Sequence, residues 1–268
     1  MAKQRIIAIT GASGGLAQEI VKQLSPSDGI ILLGRDKDKL EKCYRHVENK
    51  TCLAIDLRDD KAIKEMVDYL YQRFGRIDVF INNAGYGEFK SYDNYTSQEV
   101  RDMFDINTFA TLTFSRLMAE KMVEQGNGHI VNIASMAGKI ATVNSSVYAA
   151  TKFAVIGFSD ALRLELADKG VYVTTVNPGP IETSFFDQAD PSGAYLESVK
   201  KFVLSPKYVA KKIVRILGKN KREVNLPRLL SVAHKGYTLF PRISDKLATN
   251  VFNYKSGNAR WQSIFKSI

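Results

Sequence analysis

Seven short apolar runs punctuate this chain, and the stretches between them carry helical periodicity. The runs fall at 5–10, 30–33, 52–55, 77–81, 129–134, 171–177 and 223–226. Apolar runs of this length, without strict in–out alternation, fit strands covered on both faces. Strands that alternate with helices build parallel sheets. The pattern therefore predicts one doubly wound α/β domain, a seven-stranded parallel sheet with helices on both faces, its last strand at an edge. A length of 268 residues suits a single such domain. No internal repeat, low-complexity segment or linker divides it.

Local signals sharpen the outline. Asp36 stands as an N-cap. Thr96 and Glu99 make a capping box for a long helix expected to run through Asn107 to about Val123. Ser205-Pro206 opens another that runs to about Leu217. Pro178-Gly179-Pro180 forces the sixth strand to leave the sheet.

The first strand runs into Gly11, Gly14 and Gly15, and a helical pattern starts at Leu16. Strand, glycine turn and helix let a diphosphate approach backbone N–H groups at a helix N-terminus. At the end of the second strand Gly34 stands where an NAD site often has a carboxylate, and Arg35 follows. An arginine there pairs with a 2′-phosphate, which favours NADP(H).

Ser135 follows the fifth run, and Tyr148 and Lys152 are four residues apart. On one helix the latter two share a face. A strand-end serine and a helix-borne tyrosine both reach the crevice above a parallel sheet. A phenol beside an ammonium suits proton transfer to or from an oxygen, with the lysine expected to make the phenol more acidic. The serine hydroxyl is placed to hold the substrate oxygen.

Together these elements resemble the short-chain dehydrogenase/reductase superfamily, over about residues 5–226. The motifs are T-G-A-S-G-G-L-A at 10–17, D-L at 56–57, N-N-A-G at 82–85, Asn107, Ser135, Y-A-A-T-K at 148–152 and P-G at 178–179. The resemblance implies a Rossmann-type fold and a hydride shuttled between NADP(H) and a carbonyl/alcohol pair. It implies Tyr148 as catalytic acid/base and Lys152 as the group that lowers its pKa and holds the nicotinamide ribose. Ser135 would orient the substrate, and Asn107 would hold a proton-relaying water chain. Gly11, Ser13, Gly14, Gly15 and Leu16 would cradle diphosphate and ribose, with Asp56 and Leu57 near the adenine. Asn83, Ala84 and Gly85 would line the cofactor's floor, and Pro178, Gly179, Ile181 and Thr183 would fix the nicotinamide. A homodimer or homotetramer is also implied.

Two positions depart from the family pattern. Ala17 replaces its third glycine, and Gly14 stands where NADP-preferring members often carry a basic residue. The 2′-phosphate would then depend mainly on Arg35, helped by Ser13. An NADP(H)-binding sensor of the same fold without turnover is the alternative function.

Residues 180–204 read as a substrate lid or as satellite packing. Phe185 and Phe186 are its candidate contacts to an apolar substrate.

Charge sets the C-terminal part aside. Residues 1–199 carry 22 Lys/Arg and 26 Asp/Glu, whereas residues 200–268 carry 16 and 2. The net charges are thus −4 and +14. Residues 228–268 read as a basic amphipathic helical extension beyond a 1–227 catalytic domain. Leu229, Leu230, Val232, Ala233, Tyr237 and Phe240 are assigned to one stripe, and Trp261, Phe265 and Ile268 end the chain. Pocket wall, subunit contact and peripheral anionic membrane surface are the readings open to it. Nucleic acid is not expected, because no recognition motif accompanies the charge.

No apolar run approaches the roughly 18 residues of a membrane span. The N-terminus leads directly into the first strand, leaving no room for a signal peptide. Cys43 and Cys52 offer neither a disulfide framework nor metal spacing. A cytoplasmic protein with free thiols and no metal is expected.

Overall fold

In chain order the elements are β1 (Ile6–Thr10), α1 (Gly15–Val21), β2 (Gly29–Gly34), α2 (Lys37–Cys43), β3 (Lys50–Ala54), α3 (Asp60–Phe74) and β4 (Val79–Asn82). There follow α4 (Ser97–Phe104), α5 (Ala110–Gln125), β5 (Gly128–Ile133), α6 (Ser146–Glu165) and β6 (Val171–Pro178). The chain continues through α7 (Phe185–Ala189), α8 (Ala194–Ser198), α9 (Pro206–Val214), β7 (Glu223–Leu226) and α10 (Arg228–Leu239). The structure is a computed structural model that describes residues 4–244.

The seven strands form one sheet in the order β3-β2-β1-β4-β5-β6-β7. Every pairing is parallel, and β7 lies at the edge. This is the doubly wound α/β architecture the sequence predicts. Helices cover both faces. On one, Ile20 and Val21 of α1 and Val209, Ala210 and Ile213 of α9 pack on Ile7, Ile9 and Ile81. On the other, Val67 of α3, Phe114 and Met118 of α5 and Leu162 of α6 cover Ala8, Phe80 and Ile130. Alternate residues of β1 therefore enter opposite cores, as the two-residue repeat of a strand requires.

The capping signals act as read. The Asp36 carboxylate accepts from the Lys39 N–H at 2.9 Å. Both halves of the Thr96–Glu99 capping box are formed. The long helix is not continuous, however. A π-helical turn, Asp105–Phe109, separates α4 from α5 and carries Asn107. Such a turn widens the ladder locally and is frequent at functional sites. Periodicity alone does not reveal it, because a turn of five residues is too short to show a period of its own.

Sheet order reverses between β1 and β4. Ligands bind doubly wound sheets in the crevice beyond the carboxyl ends of the strands at that switch point. Gly11, Asn83, Ser135 and Pro178 all follow or end strands there.

Candidate active site

One cavity of about 890 Å³ occupies that crevice. Among its lining residues are Gly11, Ser13, Gly14, Gly15, Leu16, Arg35, Asp56, Leu57, Asn83, Ala84, Gly85, Ser135, Tyr148, Lys152, Pro178, Gly179, Ile181, Thr183, Phe185 and Phe186. Every expected site residue except Asn107 lines it. Asn107 lies just behind: a Cβ on Gly85 would meet its Oδ1 at 3.1 Å and the Lys152 Nζ at 3.2 Å.

The glycine turn is shaped for close approach. Gly11 has φ +61°, and a Cβ there would lie 2.7 Å from the Ala84 Cα. No L-residue fits both constraints cheaply. The first turn of α1 meets the cavity with neither a side-chain cap nor an acidic residue. Its orphan N–H groups and positive dipole end suit an anion. The Thr10 hydroxyl accepts from Asn83 N at 3.0 Å and Ala84 N at 3.1 Å, tying the N-N-A-G loop to β1. Ala17 is fully buried in the core behind the turn, so the departure from the family's glycine is absorbed by packing.

At the far end of the cavity Lys39 and Arg58 join Arg35 in the lining. Sequence reasoning missed both. Lys39 lies in the first turn of α2, four residues after Arg35, and that proximity in sequence was the available signal. Arg58 is engaged by Asp56, with its Nη2 2.7 Å from Oδ2 and its Nε 3.1 Å from Oδ1. Those hydrogen bonds hold the Asp56 carboxyl at about 2.

Tyr148 and Lys152 both lie on α6 and are nearly excluded from solvent, at 8% and 4% exposure. The Lys152 ammonium is 5.7 Å from the Tyr148 ring centroid and donates to the Ile133 carbonyl at 3.2 Å. Burial governs both groups. It pushes the Tyr148 phenol up to about 12, and a hydrogen bond with Ser135 opposes this only in part. It pulls Lys152 down to about 8. The expected acidification of the phenol by Lys152 is not seen: burial dominates, and the opposing influence comes from Ser135.

Ser135 leaves β5 in extended conformation, and its Oγ accepts from Ala137 N at 3.0 Å. The short helical turn after it presses directly on α6. A Cβ on Gly138 would lie 2.7 Å from the Lys152 carbonyl. That contact fixes Ser135 against Tyr148. Asn107 clamps the loop opposite: its Oδ1 accepts from Tyr86 N at 2.9 Å, and its Nδ2 donates to Tyr86 O at 2.8 Å and Thr151 Oγ1 at 3.2 Å.

Beyond Tyr148 the lining is aromatic. The Phe89 ring lies 5.7 Å from Tyr148, 5.0 Å from Tyr195 and 6.1 Å from Phe186. Phe185 stands 5.7 Å from Tyr148. Residues 180–204 thus fold as α7, α8 and a following turn over the cavity, with Phe186 buried. Phe89 was missed, because nothing local marks the loop after Gly85 as returning to the site.

The apolar stripe assigned to one face is split in α10. Leu230 and Ala233 line the cavity, while Leu229 and Val232 are 63% and 66% exposed. Trp261, Phe265 and Ile268 lie outside the described residues.

A parallel sheet with a glycine turn at its switch point and a Ser-Tyr-Lys group over the same crevice defines a dinucleotide-dependent oxidoreductase class. The family model described as short chain dehydrogenase matches residues 5–192. An uncharacterised oxidoreductase of Staphylococcus aureus strain N315 is 32% identical over 191 residues, covering 70% of this chain and 83% of that protein. One from Staphylococcus epidermidis is 30% identical over 190 residues, with the same coverage of each. Among solved structures, a short-chain dehydrogenase from Streptomyces avermitilis superposes with TM-score 0.78 at 24% identity, over 93% of this chain and 98% of that one. ElxO with NADP bound gives TM-score 0.75 at 24% identity, covering 84% and 97%. A 3-ketoacyl-(acyl-carrier-protein) reductase from Brucella melitensis complexed with NADH gives 0.75 at 21%, covering 83% and 96%. The chain belongs to the short-chain dehydrogenase/reductase superfamily.

Proposed function

We propose that the protein is an NADP(H)-dependent oxidoreductase acting on the carbonyl/alcohol pair of an apolar small molecule, with Tyr148 as general acid/base. The observation that carries this reading is a single cavity holding the glycine cradle, Arg35 and the Ser135–Tyr148–Lys152 group together. The cradle suits a dinucleotide, since Gly11, Ser13, Gly14 and Gly15 line the cavity where α1 begins without a side-chain cap. When bound, the nicotinamide supplies or accepts the hydride.

The chain's own residues do the rest. Tyr148, raised to about 12, stays protonated through neutral pH and donates its proton to a substrate oxygen in the reductive direction. Ser135 holds that oxygen, and Lys152 positions the ribose and restores the proton. The preference for NADP(H) rests on Arg35, with Lys39 adding positive charge at the same end, while Arg58 is paired with Asp56. The wall of Phe89, Phe185, Phe186 and Tyr195 favours an apolar substrate. Beyond Tyr148 no described lining residue is a lysine or arginine that would hold an acidic group. A homodimer or homotetramer is part of the proposal: Phe109, Phe153 and Leu164 stand 51%, 44% and 73% exposed at the start of α5 and along α6. Cytoplasmic location is likewise proposed.

The deciding experiment is NADPH oxidation against a panel of apolar ketones, aldehydes and quinones, with NADH run in parallel. Turnover with NADPH that exceeds turnover with NADH is the expected result. Thermal stabilisation by NADPH without turnover on any carbonyl would instead favour the sensor alternative.

A further inference from the structure

The α10 helix has two apolar faces, and the cavity accounts for only one. Leu230 lies against Gly179, where an added Cβ would meet its Cδ1 at 3.3 Å, and with Ala233 it lines the cavity. Leu229, Val232 and Leu239 recur at helical spacing on the outer side and are 63%, 66% and 72% exposed. Phe240 and Ile243 continue the surface at 61% and 62%. Arg228 and Lys235 border one edge of this stripe on the helical projection, and Arg242 follows it. Residues 228–268 contain seven Lys/Arg and one acidic residue, Asp245.

We propose that this outer face of α10 docks the protein on an anionic lipid surface. The occupant follows from charge complementarity. An apolar stripe edged by cations matches the boundary between acyl chains and acidic headgroups. A neutral apolar partner would use the stripe alone and gain nothing from those solvated cations. Residues 228–268 carry a net +6 and residues 1–227 a net +4, so the exposed apolar stripe, and not repulsion of the remainder, orients α10 toward the lipid. The helix is braced for this. Asn225 donates to the Ser231 Oγ at 3.2 Å, and its Oδ1 accepts from Asn177 at 2.8 Å, beside Pro178. Because the inner face of α10 lines the cavity, docking sets the cavity wall against the bilayer. That the bilayer then delivers an apolar substrate rests on the proposed function; docking itself does not.

The test is flotation of the full-length protein with vesicles of phosphatidylcholine and phosphatidylglycerol, against vesicles of phosphatidylcholine alone, without substrate. Binding to the anionic vesicles only, weakened by salt, is expected. Leu229→Ser, Val232→Ser and Leu239→Ser combined should weaken it by about tenfold or more. Lys235→Ala should weaken it about fivefold. Circular dichroism and the NADPH-induced thermal shift should match wild type in these variants, showing an intact fold. No flotation at low salt, or flotation of the triple variant equal to wild type, overturns the proposal. So does sedimentation velocity showing that the triple variant dissociates an oligomer, which would make the face a contact between copies. Vesicle binding is read without turnover, so it fails independently of the oxidoreductase reading.

Discussion

Burial and one hydrogen bond compete at Tyr148, and burial is the larger. The proposed role of the phenol is therefore that of a proton donor rather than a resident phenolate. Replacing it by phenylalanine should lower reductive kcat by about a hundred- to ten-thousand-fold, the usual range for a lost general acid. NADPH affinity, read by fluorescence titration, should stay within a few-fold of wild type. Undiminished turnover in that variant would remove Tyr148 from the chemistry. Lys152, lowered to about 8, should impose an alkaline fall in kcat/KM for NADPH near that pH. Lys152→Met should flatten it. His129 gives a separate signature. Its Nδ1 accepts from Gly218 N at 2.9 Å and its Nε2 meets the Thr174 Oγ1 at 2.8 Å, while burial lowers it to about 4 from 6.5. Between those values the unfolded chain binds a proton that the folded protein refuses, so stability rises with pH across the window. Acidification from about 6.5 to about 4 should therefore cost on the order of 3 kcal/mol, read from urea midpoints. His129→Gln should lose most of that slope. These residue identities were legible as motifs, but their ionisation was not, because desolvation depends on what the fold places around them.

Elements matter here through how closely they approach. The turn after Ser135 rests on α6 through Gly138, where a Cβ would lie 2.7 Å from the Lys152 carbonyl and 2.8 Å from the Ile156 Cδ1. Gly138→Ala should cost about 1–3 kcal/mol by chemical denaturation and lower kcat, since it parts Ser135 from Tyr148. Gly157, in the same helix with nothing within 4 Å of its Cβ position, is the control. Gly157→Ala should gain about 0.5–1 kcal/mol and leave kcat unchanged. The contrast isolates close packing from helix propensity. Strand runs, the capping box at Thr96 and the edge position of β7 were readable from local pattern. The π-turn at Asn107 and the two-faced α10 were not, because each meets residues distant in sequence: the Tyr86 backbone clamps the one, and Gly179 and the cavity receive part of the other.

At the scale of the whole molecule the switch point gathers groups from β1, β2, β4, β5 and β6 at one rim of the sheet. A ligand that bridges them should stabilise the fold as a unit. At a hundredfold excess over its Kd, NADPH should add about 2.7 kcal/mol, a Tm rise of about 5–10 °C by scanning calorimetry. Arg35→Ala should reduce that shift for NADPH while sparing NADH. An equal loss for both would mean that Arg35 does not read the 2′-phosphate.

The order of apolar runs, the glycine turn and the spacing from Ser135 to Lys152 determined the sheet, its family and the candidate site residues, because backbone geometry and helical period act locally. Only the tertiary structure decided that the phenol is held protonated, that Phe89 and α7 close over it, and that α10 turns apolar residues both inward and outward. Burial and contact are set by the residues that meet in space, and chain order does not record those meetings.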